Sequence, residues 1–294
     1  MGIYLVNKPL GKTSFDAVAI ARKQLGTKSV GHTGTLDPLA TGVLVIATDS
    51  STKLVQFLTT DSKDYLAFIS LGASTPTLDS EGPILETKDV PEFSSEQIKN
   101  VLRTFVGAQQ QLPPIYSAIH VNGERAYDLA RAGKEVKLEL RNVTIHKLEL
   151  LDFGANLEMV AKGKTLPTPL GEFPTMLVFA SVSSGTYLRS LARDIGEALG
   201  VPAHLSGLIR TRVGKFKLEN AVELENLRDA TPIPELDALE MPVIELTPKQ
   251  AKDARDGKKL EHDFKGQAVL TLSHQLVAVV EGDGSRLKVI RAWQ

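Results

Sequence analysis

The sequence predicts an α+β protein with a mixed sheet, and three observations predict it. Strand-like and helix-like runs follow one another without the regular strand–helix–strand spacing of a doubly wound sheet. Helical segments open on polar caps and close on glycine. Beyond a stretch rich in proline and acid, three β-runs crowd the end of the chain, which predicts a small β-rich module behind a larger body.

The elements follow in order. Ile3 to Val6 reads as a short strand. Ser14 is placed to cap a helix whose apolar face carries Phe15, Val18, Ala21 and Leu25, with Gly26 as its stop. Val43 to Thr48 has the unbroken apolar character of a buried strand, and Asp64 to Gly72 alternates as a half-buried one. Ser94 and Gln97 form a capping box ahead of Ile98, Val101, Leu102 and Phe105. Glu135 to Phe153 is rich in β-formers, Met176 to Val182 is a further strand, and Tyr187 to Leu199 is a helix ending at Gly200. Gly163 to Pro174 reads as a surface loop. The boundary falls between Thr231 and Pro242. Behind it lie a helix from Pro248 and the runs Gln267 to Leu272, Leu276 to Glu281 and Arg286 to Ile290, the last two joined at Gly282-Asp283-Gly284. Two domains are expected, 1–232 and 241–294.

Composition excludes several chemistries. The 294 residues contain no cysteine, which removes disulfides, thiolate nucleophiles and Cys-based zinc sites. The six histidines are scattered, without the pairing of a metal motif, so no metal is expected. No apolar run reaches the roughly 20 residues of a membrane helix. The N-terminus lacks a charged leader with an apolar core, so a cytoplasmic protein is expected. Charge nearly cancels, 34 basic against 35 acidic residues, but its distribution is uneven. Val201 to Lys217 carries Arg210, Arg212, Lys215 and Lys217 with no acid, whereas Glu219 to Glu240 is strongly acidic. A basic body beside an acidic connector can meet a polyanion despite a neutral total.

Two segments carry candidate chemistry. Gly11-Lys12-Thr13 evokes a phosphate loop, but that loop needs a glycine five positions earlier, where Val6 stands. Pro9 also removes an amide donor from the would-be cradle. An NTPase is therefore rejected. Gly31-His-Thr-Gly-Thr-Leu-Asp-Pro-Leu-Ala-Thr-Gly-Val-Leu44 packs three glycines and Pro38 into a loop that feeds a strand. Asp37 precedes the proline, which holds its backbone extended and its carboxylate at a fixed angle.

These segments resemble the TruB family of tRNA pseudouridine synthases. Asn7-Lys-Pro-Leu-Gly-Lys-Thr-Ser14 is similar to the family's opening motif, and Gly31 to Leu44 to its catalytic loop. Lys63-Asp-Tyr65 is similar to its K-x-Y strand. Gln111-Leu-Pro-Pro-Ile-Tyr-Ser-Ala118, with Asn122-Gly123 and Ala126 to Arg131, resembles its RNA-gripping insertion, here about residues 109–146. Gly185-Thr-Tyr-Leu-Arg189 and Ala203 to Leu208 complete a collinear set, and Glu245 to Arg291 resembles a PUA-type RNA-binding module. His120, Pro76, Val182, Ser184 and Ile209 depart from the usual residues.

The resemblance implies the pseudouridine synthase fold, a central mixed and mostly antiparallel sheet flanked by helices. It implies that Asp37 is the nucleophile, that Arg189 pairs with it, and that Tyr65 stacks on the target base and serves in proton removal. Tyr187 and Leu208 are implied to line the base pocket, and His32 to fill the gap left by the extracted uridine. Lys8, Lys63, Arg131, Arg141 and Arg210 are the cations expected to bind RNA. The implied reaction breaks the C1′–N1 bond of the T-loop uridine at position 55 of tRNA and rejoins the ring through C5. The uracil must first be flipped out. A carboxylate is a weak nucleophile unless ionised and placed, and a bidentate arginine does both. Attack falls on C1′ of the sugar or on C6 of the base. No cofactor is expected, because nothing is oxidised and no phosphoryl group moves. The partner expected is the tRNA T-arm stem-loop, bound by a monomer with no obligate protein partner and no membrane, with a tRNA-folding chaperone role as a possible accompaniment. A non-catalytic RNA-binding protein is the contrasting reading.

Overall fold

The computed structural model describes residues 2–58, 62–117, 119–121, 123–134, 136–154, 160–161, 164–165 and 173–293. β1 (Gly2–Lys8) is buried nearly throughout, down to the lysine at its end. α1 (Ser14–Leu25) follows, then the short β2 (Val30–His32) and β3 (Ala40–Thr48), all nine residues of which are buried. A strand covered on both faces needs apolar residues in succession rather than alternation, which Val43, Leu44, Val45 and Ile46 supply. Next come β4 (Ser62–Leu71), α2 (Ser95–Thr104), β5 (Gly107–Gln111), β6 (Arg141–Gly154), β7 (Thr175–Ser183), α3 (Leu188–Leu199), β8 (Ala203–Val213) and β9 (Val222–Glu223).

These strands form one ten-stranded sheet in the order β9-β1-β3-β8-β4-β7-β6-β5, with β2 beside β3 and Phe216–Lys217 beside β8. Only β9–β1 and β3–β8 pair in parallel among these neighbours, so the sheet is mixed and mostly antiparallel. On one face α2 and α3 bury Ile98, Leu102, Leu188, Leu191 and Ile195 against Tyr65, Ala67, Val178 and Leu205. The chain then builds β10 (Val243–Glu245), α4 (Pro248–Arg255), β11 (Leu260–Glu261), β12 (Lys265–Leu272), β13 (Gln275–Asp283) and β14 (Arg286–Ala292). They make a separate five-stranded sheet, order β10-β12-β13-β14-β11.

The acidic connector is more than a tether. Ile233 exchanges backbone hydrogen bonds with Ile3 at 2.7 and 3.4 Å. Ala238 and Leu239 share a buried cluster with Ile3 and Leu5 from β1 and with Val269, Val279 and Trp293 from the C-terminal part. The indole N–H of Trp293 also donates to the Ser50 carbonyl at 3.3 Å.

Several sequence expectations need correction. Thr13, not Ser14, caps α1: its hydroxyl accepts from the Asp16 N–H while the Asp16 carboxylate accepts from the Thr13 N–H. Ser14 is buried and committed elsewhere, as described below. Phe15 points outward, 67% exposed, because Ala17, Val18 and Ala21 define the inner face. The β-rich composition from Glu135 becomes strand only at Arg141. β8 was not foreseen at all, although it lies in the middle of the sheet. The loop expected over Gly163 to Pro174 lies largely outside the described residues.

Candidate active site

Asp37 sits on the loop between β2 and β3, and the fold fixes that loop from three sides. The hydroxyl of Ser14 accepts from the Leu36 N–H at 2.8 Å and donates to the Leu36 carbonyl at 3.2 Å. The Gly11 N–H donates to the Pro38 carbonyl at 2.9 Å. Beneath the loop, the buried Arg210 guanidinium donates to the carbonyls of Val43 (2.8 Å), Thr35 (3.3 Å) and Gly34 (3.2 Å). A loop otherwise free to choose among many conformations is thereby given one.

Gly42 makes this packing possible. It adopts φ +106°, and a Cβ there would lie 2.2 Å from the Arg210 carbonyl oxygen. Positive φ is strained for any residue with a Cβ, and the backbone contact cannot be relieved by a side-chain rotation. Gly42→Ala is expected to cost roughly 3 kcal/mol or more of stability, mostly through that clash. Denaturant titration of the variant measures this, and a midpoint unchanged from the native chain would refute the packing described.

Arg189, second residue of α3, is 7% exposed and reaches four acceptors. Its Nη2 lies 3.1 Å from an Asp37 carboxylate oxygen and 3.0 Å from the Tyr116 carbonyl. Its Nη1 lies 3.2 Å from both the Asp79 carboxylate and the Thr77 carbonyl. Asp79 is buried and is itself held by the Thr77 hydroxyl at 2.6 Å and the Glu81 N–H at 3.0 Å. The result is a carboxylate–guanidinium–carboxylate chain with one end buried and the other open, the Asp37 side chain being 39% exposed. Asp79 was missed by sequence reasoning. The signal available was Thr77-Leu-Asp79, a hydroxyl two residues before an acid, which favours a local side-chain bond that fixes the carboxylate.

The structure gathers most of the remaining expected residues around this chain of charges. Tyr65 is buried on β4 opposite Arg210 of β8. Burial pushes its phenol above the ordinary value, and the neighbouring Arg210 guanidinium offsets part of that rise. Leu208, half-buried, pairs with Ala40 and packs on the cluster containing Tyr65 and Leu36. Tyr187 is the N-cap of α3, its phenol pushed up by burial with the Arg141 charge opposing. His32, at the end of β2, has its pKa lowered by burial and then by Arg210, which favours the neutral ring; Phe15 meets that ring edge-on at 5.9 Å. The Lys63 ammonium donates to the Ser184 hydroxyl at 3.3 Å, its pKa lowered by burial and by Arg210. Arg141 is exposed at the start of β6. Arg131 ends a six-residue helix, Ala126–Arg131, and its side chain lies outside the described residues.

Two of the cations expected to meet RNA are corrected by the structure. Lys8 and Arg210 are 0% and 1% exposed. Their donors go to backbone carbonyls, Lys8 to those of Pro9 and Lys12, and Arg210 to the loop. Lys8 supports the turn at residues 9–12 and Arg210 the Asp37 loop, both from inside and away from any phosphate at the surface. Burial lowers the Lys8 pKa to about 8, with the Asp37 charge opposing that fall. The folded chain thus binds this proton less tightly than the unfolded one, so between about pH 8 and about pH 10.5 the unfolded state holds more protons. Stability relative to a Lys8→Met variant is expected to rise with pH across that window and to be flat below it. Thermal melts of the two proteins from pH 7 upward test this, and parallel curves would refute it.

Among the described residues no group of three or more His, Asp or Glu side chains is arranged to hold a metal ion. None of their helices is long and apolar enough to cross a membrane.

The fold is that of the pseudouridine synthases. The chain superposes over its full length on 84% of a chain in a crystal structure of a Cbf5-Nop10-Gar1 complex, with a TM-score of 0.70 and 26% identity. It matches 85% of a chain in an H/ACA RNP bound to a substrate RNA containing 2′-deoxyuridine, at a TM-score of 0.69 and 25% identity. Residues 22–188 match the N-terminal domain of the TruB family pseudouridylate synthases, and residues 189–243 match the tRNA pseudouridylate synthase B C-terminal domain. Among relatives, tRNA pseudouridine synthase B of Deinococcus radiodurans is 55% identical over the whole of both chains. That of Thermus thermophilus is 45% identical, covering 100% of this chain and 99% of the relative. The chain belongs to the TruB family, and is accordingly a pseudouridine-forming isomerase.

Proposed function

We propose that the chain isomerises the T-loop uridine at position 55 of tRNA, by covalent catalysis through Asp37. The observation that carries this reading is the Asp37–Arg189–Asp79 chain of charges, whose one accessible end is the Asp37 carboxylate. The buried Asp79 holds Arg189 in place, and Arg189 in turn aims and neutralises Asp37 without blocking its approach to a substrate.

The flipped uracil enters beside Asp37, stacks on Tyr65 and is enclosed by Tyr187 and Leu208. His32 fills the space left in the loop, and its neutral ring suits stacking better than ion pairing. Once C5 has bonded to C1′ and the bond to Asp37 has broken, the C5 proton passes to the Tyr65 oxygen as the phenol gives up its own proton through water to N1, which leaves the ring neutral. The Arg210 guanidinium beside it lowers the cost of a transient phenolate. Residues 109–146 grip the T arm, and residues 241–294 act as a PUA-like RNA-binding domain behind a catalytic domain spanning 1–232. The protein works as a monomer in the cytoplasm and needs no cofactor. The relatives, named tRNA pseudouridine synthase B, support the substrate, and the extent of the match supports carrying it over.

Tritium release from tRNA labelled with [5-³H]uridine tests the reading, with a second tRNA carrying cytidine at position 55 as the control. Release from the first and none from the second is the expected result. Binding without release would instead assign a non-catalytic, chaperone-like role. Affinity is expected to fall with salt, and Arg141→Ala to weaken binding severalfold while reducing the log–log salt slope by about one. An unchanged slope would remove Arg141 from the phosphate contacts.

A further inference from the structure

α3 begins without a side-chain cap of its own, since Tyr187 at its N-cap makes none. Another element supplies the missing interactions. Gln111, the last residue of β5 and 3% exposed, places its carboxamide against the Tyr187 peptide groups. Its Oε1 accepts from the Tyr187 N–H at 2.9 Å, and its Nε2 donates to the Tyr187 carbonyl at 3.1 Å. The next residues continue the seam. The Leu112 carbonyl accepts from the Ser190 hydroxyl at 2.7 Å and from Arg193 at 3.3 Å, and the Tyr116 carbonyl accepts from Arg189 itself. Five of these contacts thus run between residues 111–116 and the opening turns of α3, and one of them ends on the guanidinium that holds Asp37.

We propose that Gln111 is a positioning residue for the isomerisation, setting the start of α3 so that Arg189 meets Asp37 in register. The inference rests on the catalytic reading above and extends it to a residue that touches neither base nor nucleophile. The carboxamide is the one uncharged side chain of this length that both donates to a carbonyl and accepts from an amide. Because residues 111–116 open the segment proposed to grip RNA, the same seam links that segment to the ion pair. The Gln111 side chain is turned into the seam and buried, away from any RNA-facing surface of that segment, so misplacement of Arg189 by a fraction of an ångström falls on the chemical step and the effect belongs to kcat rather than KM.

The test compares native protein, Gln111→Ala and Gln111→Glu on labelled tRNA, with melting temperature and folded fraction measured for each. Turnover by the native protein establishes the catalytic reading independently; without it that reading fails first. Gln111→Ala is expected to lower kcat per folded molecule roughly ten- to a hundredfold, with KM within about twofold. Gln111→Glu adds a readout that a merely structural role would not move. Its protonated carboxyl donates and accepts as the amide does, whereas the carboxylate only accepts. Burial raises the pKa of such a group, so its kcat relative to native is expected to recover as pH falls from about 8 to about 6. A kcat for Gln111→Ala within about twofold of native, or a Gln111→Glu ratio independent of pH, would overturn the proposal. Should Gln111→Ala fold poorly, the Gln111→Glu profile alone decides.

Discussion

Asp37→Asn is expected to abolish isomerisation, by about ten-thousandfold or more, while leaving fold and RNA binding nearly intact. The amide keeps the shape of the carboxylate and can still accept from Arg189, but it has no anionic oxygen with which to attack carbon. Stability changes little because Asp37 occupies the open end of the ion chain, where water screens the pair. Asp79 at the other end continues to neutralise Arg189. Single-turnover tritium release measures the chemistry, and filter binding the affinity. Release within tenfold of native would show that another group is the nucleophile. A parallel loss of affinity would mean that Asp37 binds rather than reacts.

Arg189→Lys is expected to lower kcat by roughly a hundredfold or more, the second-largest effect. The native guanidinium spans two carboxylates and two carbonyls, lying 3.1 Å from Asp37 and 3.2 Å from Asp79. An ammonium is a point charge on a flexible stem and cannot face both acids in fixed directions. Arg189→Met separates the structural part from the catalytic part. It leaves Asp79, whose side chain is 3% exposed, without its cation. Stability should fall by roughly 3 kcal/mol, the low end for breaking a buried pair, because Thr77 and the Glu81 N–H remain as partners. Wild-type turnover by the lysine variant would contradict the geometry, and an unchanged melting point for the methionine variant would contradict the buried half of it.

The parts of this architecture legible in the sequence were those written locally. The Ser94–Gln97 capping box, the apolar run of β3, the Gly200 stop of α3 and the C-terminal hairpin are all set by near neighbours, and the structure has them. β8 is hidden in the sequence because Arg210 and Arg212 interrupt its apolar pattern, and each is explained only by a distant partner. Arg210 meets the carbonyls of residues 34, 35 and 43, and Arg212 meets Asp64. Phe15 looked like a core position because it lies on a helical stripe with Val18, yet the sheet meets α1 one residue further round. The site divides in the same way. Asp37, Tyr65 and Arg189 are expected from motif resemblance, while the pairing of Asp79 with Arg189 and the bonds of Gln111 emerge only in the fold, since nothing near either residue in sequence reveals an arginine or a helix start over 70 positions away.

The place of β8 between β3 and β4 has a consequence for how the protein comes off the ribosome. The strands at 40–48 and 62–71 are close in sequence but never touch as neighbours; a strand from 203–213 lies between them. The growing chain must therefore keep the middle of its sheet open until more than two-thirds of the polypeptide has been made. Such non-local closure is slow and leaves strand edges exposed to other chains. The arginine that fixes the Asp37 loop arrives on that strand, so the loop is set in the same step that fills the middle of the sheet. A nascent chain cut short before residue 203 lacks both the central strand and the arginine that orders its Asp37 loop.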